Sequence, residues 1–463
     1  MNGDYDLIVI GGGAAGLAAA QAGVAARART LLVTEGEPGG ECTFTGCVPS
    51  KTLIEAAARG AAFGEAITAV RKAVAAIAAT ETADVLQRHG IDVVRGHAAF
   101  AAPRQVTVEG RTLRARGFVL ATGSRPAVPP VPGLAGVPYL TNENVFGLES
   151  LPASLAILGG GAVGCELAQA FRRLGSQVTV IEAAPRLLPT ADPRASQVIA
   201  EVLAAEGVTV RAGAPAEKAE MSGGGQGCVI HLAGAVVAAD RLLVAVGRTP
   251  VTAGLGLEAA GITTGARGAV VTDRHLATTA PGVYAAGDVT GLMPFTHAAY
   301  AMGRIAARNA LNRRWTPPGG FSTRAIPEVV FTDPEIAQVG LTEEQAAARI
   351  TGARVAYVPM REVDRAVTAG HTTGFVKLIA GPRRLTGGLG GGRVLGATIV
   401  ASRAGEMIDE IALAMRAGMF TGRLAQATHA YPTWSLAIQQ AAAQFFGGYG
   451  GRTARPARPG SGS

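Results

Sequence analysis

Cys42 and Cys47, two of only four cysteines in 463 residues, stand five positions apart in Gly39-Gly40-Glu41-Cys42-Thr43-Phe44-Thr45-Gly46-Cys47-Val48-Pro49-Ser50-Lys51. On an ideal helix that spacing leaves the Cα atoms roughly 8.7 Å apart, beyond the limit of about 7 Å for a disulfide. On a strand the two side chains point to opposite faces. A bond between them therefore needs an irregular turn, and Gly46 supplies a permissive backbone. Pro49 suits the first turn of a helix through Ser50–Ala58, and Cys47 would face its N-terminus, where the dipole favours a thiolate. This layout points to a redox-active disulfide, although the spacing alone equally allows two buried structural cysteines. Lysine occurs only at positions 51, 72, 218 and 377 in an arginine-rich chain, so Lys51 beside the cysteines points to a use for an ammonium.

The elements that would position this segment are written twice. Leu7-Ile8-Val9-Ile10 leads into Gly11-Gly12-Gly13-Ala14-Ala15-Gly16 and an alanine-rich helix, and a second strand, Thr30–Thr34, ends at Glu35. Leu155-Ala156-Ile157-Leu158 leads into Gly159-Gly160-Gly161-Ala162-Val163-Gly164, and Gln177–Ile181 ends at Glu182. In each copy glycines would let the backbone approach a pyrophosphate at a helix N-terminus, and the carboxylate would accept from a ribose hydroxyl. Similar segments close the two copies: Phe118 to Pro126, with Thr122 and Gly123, and Leu242 to Pro250, with Gly247. The repeat implies two dinucleotides in one α/β chain. A further strand ends at Gly287-Asp288, placing a carboxylate where a hydroxylated cofactor chain could meet it.

Length and a hydrophobic content of 48% allow two to four domains with large cores. No apolar run reaches the ~18 residues of a membrane helix. A strand begins at Tyr5, leaving no room for a signal peptide, and with so few cysteines the expected compartment is the cytoplasm. The net charge of +8 comes from scattered arginines; the cluster Arg452, Arg455 and Arg458 falls in a Pro/Gly-rich segment, 447–463, expected to be a flexible tail. Neither nucleic acid nor membrane is an expected partner.

With these motifs in hand, residues 4 to 446 resemble the flavoprotein disulfide reductases, the family of glutathione reductase, dihydrolipoamide dehydrogenase and mercuric reductase. The resemblance implies two Rossmann-like dinucleotide-binding domains plus an α+β C-terminal dimerisation domain. The FAD-binding domain would take 1–150 and 276–320, the NAD(P)-binding domain 151–275, and the interface domain 321–446 of a homodimer. It implies that Gly11, Gly13, Gly16 and Glu35 hold FAD, with Thr122, Gly123, Gly287 and Asp288, and that Gly159, Gly161, Gly164, Glu182 and Gly247 serve the nicotinamide cofactor. Lys51 would lie near the flavin N5, paired with Glu166. Electrons would pass from nicotinamide through flavin to a Cys42–Cys47 disulfide, with Cys47 as the flavin-facing thiolate and Cys42 as the sulfur that attacks substrate. Glu182 favours NADH, while Arg186 keeps NADPH open.

The C-terminus departs from the family. Its His-Pro-Thr-x-x-Glu segment is here Tyr431-Pro432-Thr433-Trp434-Ser435-Leu436. A phenol with a pKa near 10 is a poor base for a dithiol. His429, two residues earlier, would share the face of Tyr431 on an extended segment. Tyrosine at this place, with Gly39-Gly40-Glu41-Cys42, is similar to mercuric reductases, so the expected acceptor is a metal ion or another thiol-reactive small molecule. The sequence carries neither an N-terminal metal-binding domain nor a tail cysteine pair, and no resident metal is expected. The alternatives are a dihydrolipoamide dehydrogenase or other small-disulfide reductase, a transhydrogenase or quinone-reducing diaphorase, and a non-enzymatic NADH sensor.

Overall fold

The structure, a computed structural model, describes residues 4–223, 227–312, 317–383 and 387–459. The chain forms two compact units. The first takes in residues up to Pro129, Leu140–Ser150 and Val246–Thr323; the second takes in Pro130–Tyr139, Leu151–Ala245 and the residues from Arg324 on.

The first unit is built on a sheet that begins with β1 (Tyr5–Ile10), followed by helix α1 (Ala14–Ala25) and strand β2 (Thr30–Thr34). Parallel pairing runs from Ile91–Arg95 through β2 and β1 to Arg111–Leu120 and Val283–Ala285. All five residues of β2 are buried, as expected of a parallel strand covered on both faces. Ile8 lies opposite Leu31 on one side and Phe118 on the other, and these form one core with Val283. The sequence assigns 246–275 to the nicotinamide domain, but the structure places this segment in the first unit. Arg248–Pro250 pairs antiparallel with Ser124–Pro126, and Leu255, Leu257, Ile262 and Val270 pack into the core of Ile8 and Phe118. The apolar residues of 255–270 find their partners there.

The second unit repeats the parallel motif. Thr209–Ala212, Gln177–Glu182, Ser154–Leu158 and Arg241–Val244 are neighbours in that order. Its C-terminal part is an antiparallel sheet in the order Glu328–Val330, Glu335–Gly340, Arg393–Ala401, Phe375–Gly381, Arg354–Pro359, Arg455–Pro456. The helices Ala404–Arg416 and Leu436–Ala443 bury Ile408, Ile411, Ile438 and Ala441 against it. The expectation of a flexible tail from 447 is corrected over 455–457. Arg455 pairs with Val355 in the edge of the sheet, the Ala457 N–H donates to Ala353, and Arg452 and Arg455 form ion pairs with Glu362 and Glu343. Residues 460–463 lie outside the described residues. The basic cluster of the tail is thus partly neutralised on the sheet rather than offered to a polyanion.

A buried ionic cluster joins the two halves of the second unit. Lys377 Nζ lies 3.0 Å from Asp192, which caps the helix Pro193–Ala205, and 3.2 Å from Glu343; the three side chains are 4%, 1% and 0% exposed. Burial acts to raise the Glu343 carboxyl, but Arg455 and Lys377 outweigh it and hold the group below its ordinary value. Lys377→Met would leave two buried carboxylates facing each other, and we expect a loss on the order of 3–5 kcal/mol, read as a lowered thermal midpoint. Because the Glu343 pKa is depressed, its contribution is complete above the unfolded value of about 4.3 and is lost as pH falls through the folded one. An acid-unfolding curve of Glu343→Gln should therefore lose part of the wild-type steepness below about pH 4.3.

Candidate active site

The two cysteines sit where a short helix, α2 (Gly40–Phe44), turns into a longer one, α3 (Cys47–Ala58). The irregular turn expected between them is present. The helix, however, starts at Cys47, earlier than the sequence suggests, because Ser50 already donates its N–H to Gly46 at 3.1 Å. Cys47 is therefore the first residue of α3, and Lys51 is one turn further on. A Cβ at Gly46 would lie 3.0 Å from the Glu41 carbonyl oxygen, so glycine is what lets the turn fold back on α2.

The turn is seated on the first glycine loop. Gly39 donates to the Gly12 carbonyl at 2.9 Å, and a Cβ at Gly40, whose φ is +63°, would lie 2.6 Å from the Cα of Gly13. In that loop a Cβ at Gly16 would strike the Gly11 carbonyl at 1.8 Å; in the second copy Gly164 and Gly159 repeat this at 1.9 Å. Gly13 and Gly161, which precede the helices α1 and Ala162–Arg173, would by contrast meet nothing within 4 Å. Both copies thus keep open room at a helix N-terminus, and a pyrophosphate fits that chemistry.

The two sulfurs are not joined by a disulfide, and both face one hydroxyl. Thr296, first residue of the helix Thr296–Ala310, places Oγ1 3.3 Å from Cys47 Sγ and 3.4 Å from Cys42 Sγ. The hydrogen bond with Cys47, burial and the charge of Cys47 push the Cys42 thiol far up, so Cys42 keeps its proton. Cys47 is exposed and is the first residue of α3, where the helix dipole favours negative charge. Burial pushes Cys165 up to about 12 and Cys228 to about 11, which leaves both inert. Thr296 escaped the sequence reading because 249 residues separate it from Cys47; only the pairing of distant strands brings them together.

Around the sulfurs, the structure places Asp288 directly after the strand Val283–Ala285 and Gly287, where its Oδ2 accepts from Ser124 Oγ at 2.6 Å. Thr122 Oγ1 donates to Val251 at 2.7 Å, and Gly123 accepts from the Val251 N–H at 3.0 Å; Gly247 accepts from Ala127. Gly247, expected to serve the nicotinamide, thus lies in the first unit. Glu35, expected on a ribose, lies 2.6 Å from His97 Nδ1, while His97 Nε2 lies 3.0 Å from the Gly254 carbonyl oxygen. The bond to Glu35 raises the His97 pKa. His97 is a second residue that no motif marked.

In the second unit, Glu182 Oε2 accepts from the Gly160 N–H at 2.6 Å and Oε1 from the Ala184 N–H at 2.7 Å, which fixes the carboxylate at the rim of the second glycine loop. Arg186 is engaged with the carbonyls of Pro189 and Ala191. Glu166 is buried within the helix Ala162–Arg173, and its Oε1 accepts from the Phe331 N–H at 2.9 Å.

The shared face expected for His429 and Tyr431 is corrected. Their segment is irregular, not extended. His429 turns inward, its side chain 8% exposed, with Nε2 3.1 Å from both oxygens of Glu410. Tyr431 is 71% exposed and donates to Asp364 Oδ2 at 2.8 Å, a bond that raises its pKa and keeps the phenol protonated.

Two glycine loops on parallel sheets, a cysteine pair seated on the first, and a separate antiparallel sheet define a two-dinucleotide disulfide oxidoreductase. Sequence profiles agree: Pyridine nucleotide-disulphide oxidoreductase matches residues 5–303, and the dimerisation domain of the same family matches 326–442. The chain belongs to this family of FAD- and nicotinamide-dependent enzymes. It is 34% identical to a mercuric reductase of Staphylococcus aureus, over 96% of this chain and 83% of that one. It is 36% identical to a dihydrolipoyl dehydrogenase of Thermus scotoductus, over 95% and 96%. Among solved structures it is similar to the Cu(II) complex of the HOCl-induced flavoprotein disulfide reductase RclA of Escherichia coli, with a TM-score of 0.86, 31% identity, and coverage of 96% and 99%. LpdA of Mycobacterium tuberculosis gives 0.86, 31%, 95% and 99%. No helix among the described residues is long and apolar enough to cross a membrane.

Thr296→Val removes the hydroxyl shared by the sulfurs while keeping its volume. We expect alkylation of the reduced protein by iodoacetamide at pH 7 to slow by about threefold to tenfold, as the thiolate loses one donor. An unchanged rate would remove Thr296 from the site.

Proposed function

We propose that this protein uses NADH to reduce a thiophilic acceptor, foremost a soft metal ion of the mercuric type, through FAD and the Cys42–Cys47 pair. The observation that carries this reading is Tyr431. It is exposed where the family's histidine would stand, its phenol is kept protonated by Asp364, and the nearest imidazole is turned away into Glu410. Exchange with an incoming dithiol requires a base to remove a proton. Binding of a soft metal ion by both sulfurs displaces the Cys42 proton to solvent as the metal–sulfur bond forms, and it needs no imidazole-type base on the enzyme; a phenol can still donate a hydrogen bond to a sulfur. Among the described residues no group of three or more His, Cys, Asp or Glu could hold a metal ion, so the sulfurs themselves would be the ligands.

Bound FAD would supply a two-electron path from nicotinamide to the sulfur pair. The chain's own part is to hold protons and charges. Two electrons open the S–S bond, Cys42 takes one proton as the thiol that Cys47 and burial favour, and Cys47 stays a thiolate at the start of α3. Thr296 Oγ1 lies within reach of both sulfurs and can donate a hydrogen bond to whichever carries charge. Lys51 on α3 would serve the flavin edge, a role the family resemblance suggests. Supporting homodimer chemistry, the dimerisation-domain match covers Tyr431, so its exposed phenol would serve the partner's Cys42.

NADH is favoured because Glu182 already aims a carboxylate at the glycine loop, where it would accept from a 2′-hydroxyl and repel a 2′-phosphate, while Arg186 is occupied elsewhere. Glu182→Ala should narrow the NADH-over-NADPH ratio of kcat/KM by about tenfold, the weight of one charge-assisted hydrogen bond. A wild-type ratio favouring NADPH would reverse the assignment.

The deciding experiment is turnover on Hg(II), Cu(II), lipoamide, glutathione disulfide and a quinone, with wild type beside Cys42→Ser and Tyr431→Phe. Metal-ion turnover should be lost in Cys42→Ser and reduced about tenfold or more in Tyr431→Phe, with flavin reduction by NADH unchanged in both. Full activity on lipoamide would establish a small-disulfide reductase instead. Quinone turnover that survives Cys42→Ser, with no metal reduction, would establish a diaphorase.

A further inference from the structure

The turn that carries the two sulfurs is gripped at both ends by a polar network that no motif in the sequence announces. Glu41, the residue before Cys42, receives both Nη groups of Arg248; the Nη1–Oε1 bond is 2.6 Å. Asn142 Nδ2 donates to the same Oε1 at 2.7 Å and to the Thr45 carbonyl at 3.2 Å, so one amide spans the turn from the residue before Cys42 to the residue before Gly46. The guanidinium reaches further. Its Nε donates to Ser124 Oγ at 2.7 Å and lies 3.5 Å from Asp288 Oδ2, and Ser124 in turn donates to that oxygen at 2.6 Å. A single cation therefore serves two carboxylates, one next to Cys42 and one at the Gly287-Asp288 strand end.

We infer that Arg248 is a positioning residue for the sulfur pair: through Glu41 it fixes the cysteine turn against Asp288, and it sets the net charge beside Cys42. This rests on the reading above of Cys42 and Cys47 as the redox pair. The bidentate fork explains why arginine stands here, since a lysine would give one donor and no planar match to the carboxylate. Burial raises the Glu41 carboxyl above its ordinary value, and Arg248 pulls it back, so the pair depends on the cation. With Arg248 present, Glu41, Asp288 and the guanidinium sum to one negative charge. Without it they sum to two, and a nearby thiolate is disfavoured. The other charged groups on the cysteine-bearing helices are Lys51 and Glu55 on α3, and Glu81, from the segment after the helix Phe63–Ala78, accepts from Thr43 Oγ1 at 2.9 Å. The variants below leave all three in place.

The test uses four FAD-loaded proteins: wild type, Glu41→Gln, Arg248→Met and the double variant. Each is reduced and titrated with pH, following the long-wavelength thiolate–flavin absorbance, and in parallel the iodoacetamide alkylation of the Cys42 and Cys47 peptides by mass spectrometry. We expect the midpoint to rise by roughly one pH unit in Arg248→Met, to fall in Glu41→Gln, and to return near wild type in the double variant, where the charge sum is restored. A purely structural role would lower amplitudes, add in the double variant and leave the midpoints in place; that outcome overturns the inference. If Arg248→Met does not fold, Arg248→Lys takes its place: a midpoint near that of wild type with faster, looser alkylation at both cysteines supports the clamp, and wild-type behaviour in both respects refutes it. If wild type shows no thiolate–flavin absorbance, the proposed function fails, while the alkylation midpoints still decide the role of Arg248.

Discussion

The chemistry of this chain depends on the close approach of two backbones at Gly40 and Gly13. The sulfur turn can reach a dinucleotide only if α2 lies on the glycine loop with no side chain between them, and a Cβ at Gly40 would come within 2.6 Å of Gly13. The same loop must leave room at the N-terminus of α1 for a pyrophosphate, which a Cβ at Gly13 would begin to fill. Two demands therefore meet at one point: dense packing toward the cysteines and open space toward the cofactor. Glycine satisfies both, at the conformational cost that glycine always carries. The second copy keeps the open space at Gly161 and the tight contact of Gly164 on Gly159, but its helix leads to Cys165, a thiol that burial has silenced. The two copies thus share a nucleotide geometry, and only the first bears a reactive sulfur pair.

Charge in this protein is placed sparingly, and each of the ionic clusters described serves a mechanical end. Lys377 ties the cap of one helix to the central strand of another sheet, and Arg455 closes on the same Glu343 from the tail. Arg173 holds Glu206 at 2.6 Å and Asp333 at 3.0 Å, again linking the parallel sheet to the antiparallel one. These pairs stabilise little by attraction alone, since desolvation offsets much of the Coulomb gain. Their effect is to make one arrangement of the second unit far better satisfied than its neighbours. Several arginines of this basic chain, Arg173, Arg248, Arg452 and Arg455 among them, are thus engaged with carboxylates of the same chain.

What was legible in the sequence was whatever is local. The glycine loops, their following acids and the cysteine turn each fit within some thirty residues, and in the structure both glycine loops stand between a strand and a helix. What was hidden depends on chain topology. Thr296 meets the sulfurs from the start of a helix 249 residues away, and Arg248 reaches Glu41 across 207. No periodicity announces such partners. The segment 246–275 was assigned to the wrong unit for a related reason: its strand Arg248–Pro250 pairs with Ser124–Pro126 rather than with its sequence neighbours. His429 misled because alternation along a strand was assumed for a stretch that turns. A two-residue spacing puts side chains on one face only while the backbone stays extended.

That turn bears on what the enzyme can reduce. A histidine acting on an incoming dithiol must be exposed; the His429 side chain is almost fully covered, with Nε2 between the Glu410 oxygens. Tyr431 is exposed but holds its proton more tightly than an ordinary phenol, because ionising it would set a second negative charge against Asp364. The residue presented where acid–base catalysis belongs in this family is thus a fixed donor. A fixed donor can stabilise a thiolate or a metal–sulfur adduct without changing protonation state, and it cannot serve a cycle in which a proton must leave and return. At the sulfur pair the hydrogen bond with Cys47 and burial hold the proton on Cys42, and the Thr296 hydroxyl lies within reach of both sulfurs.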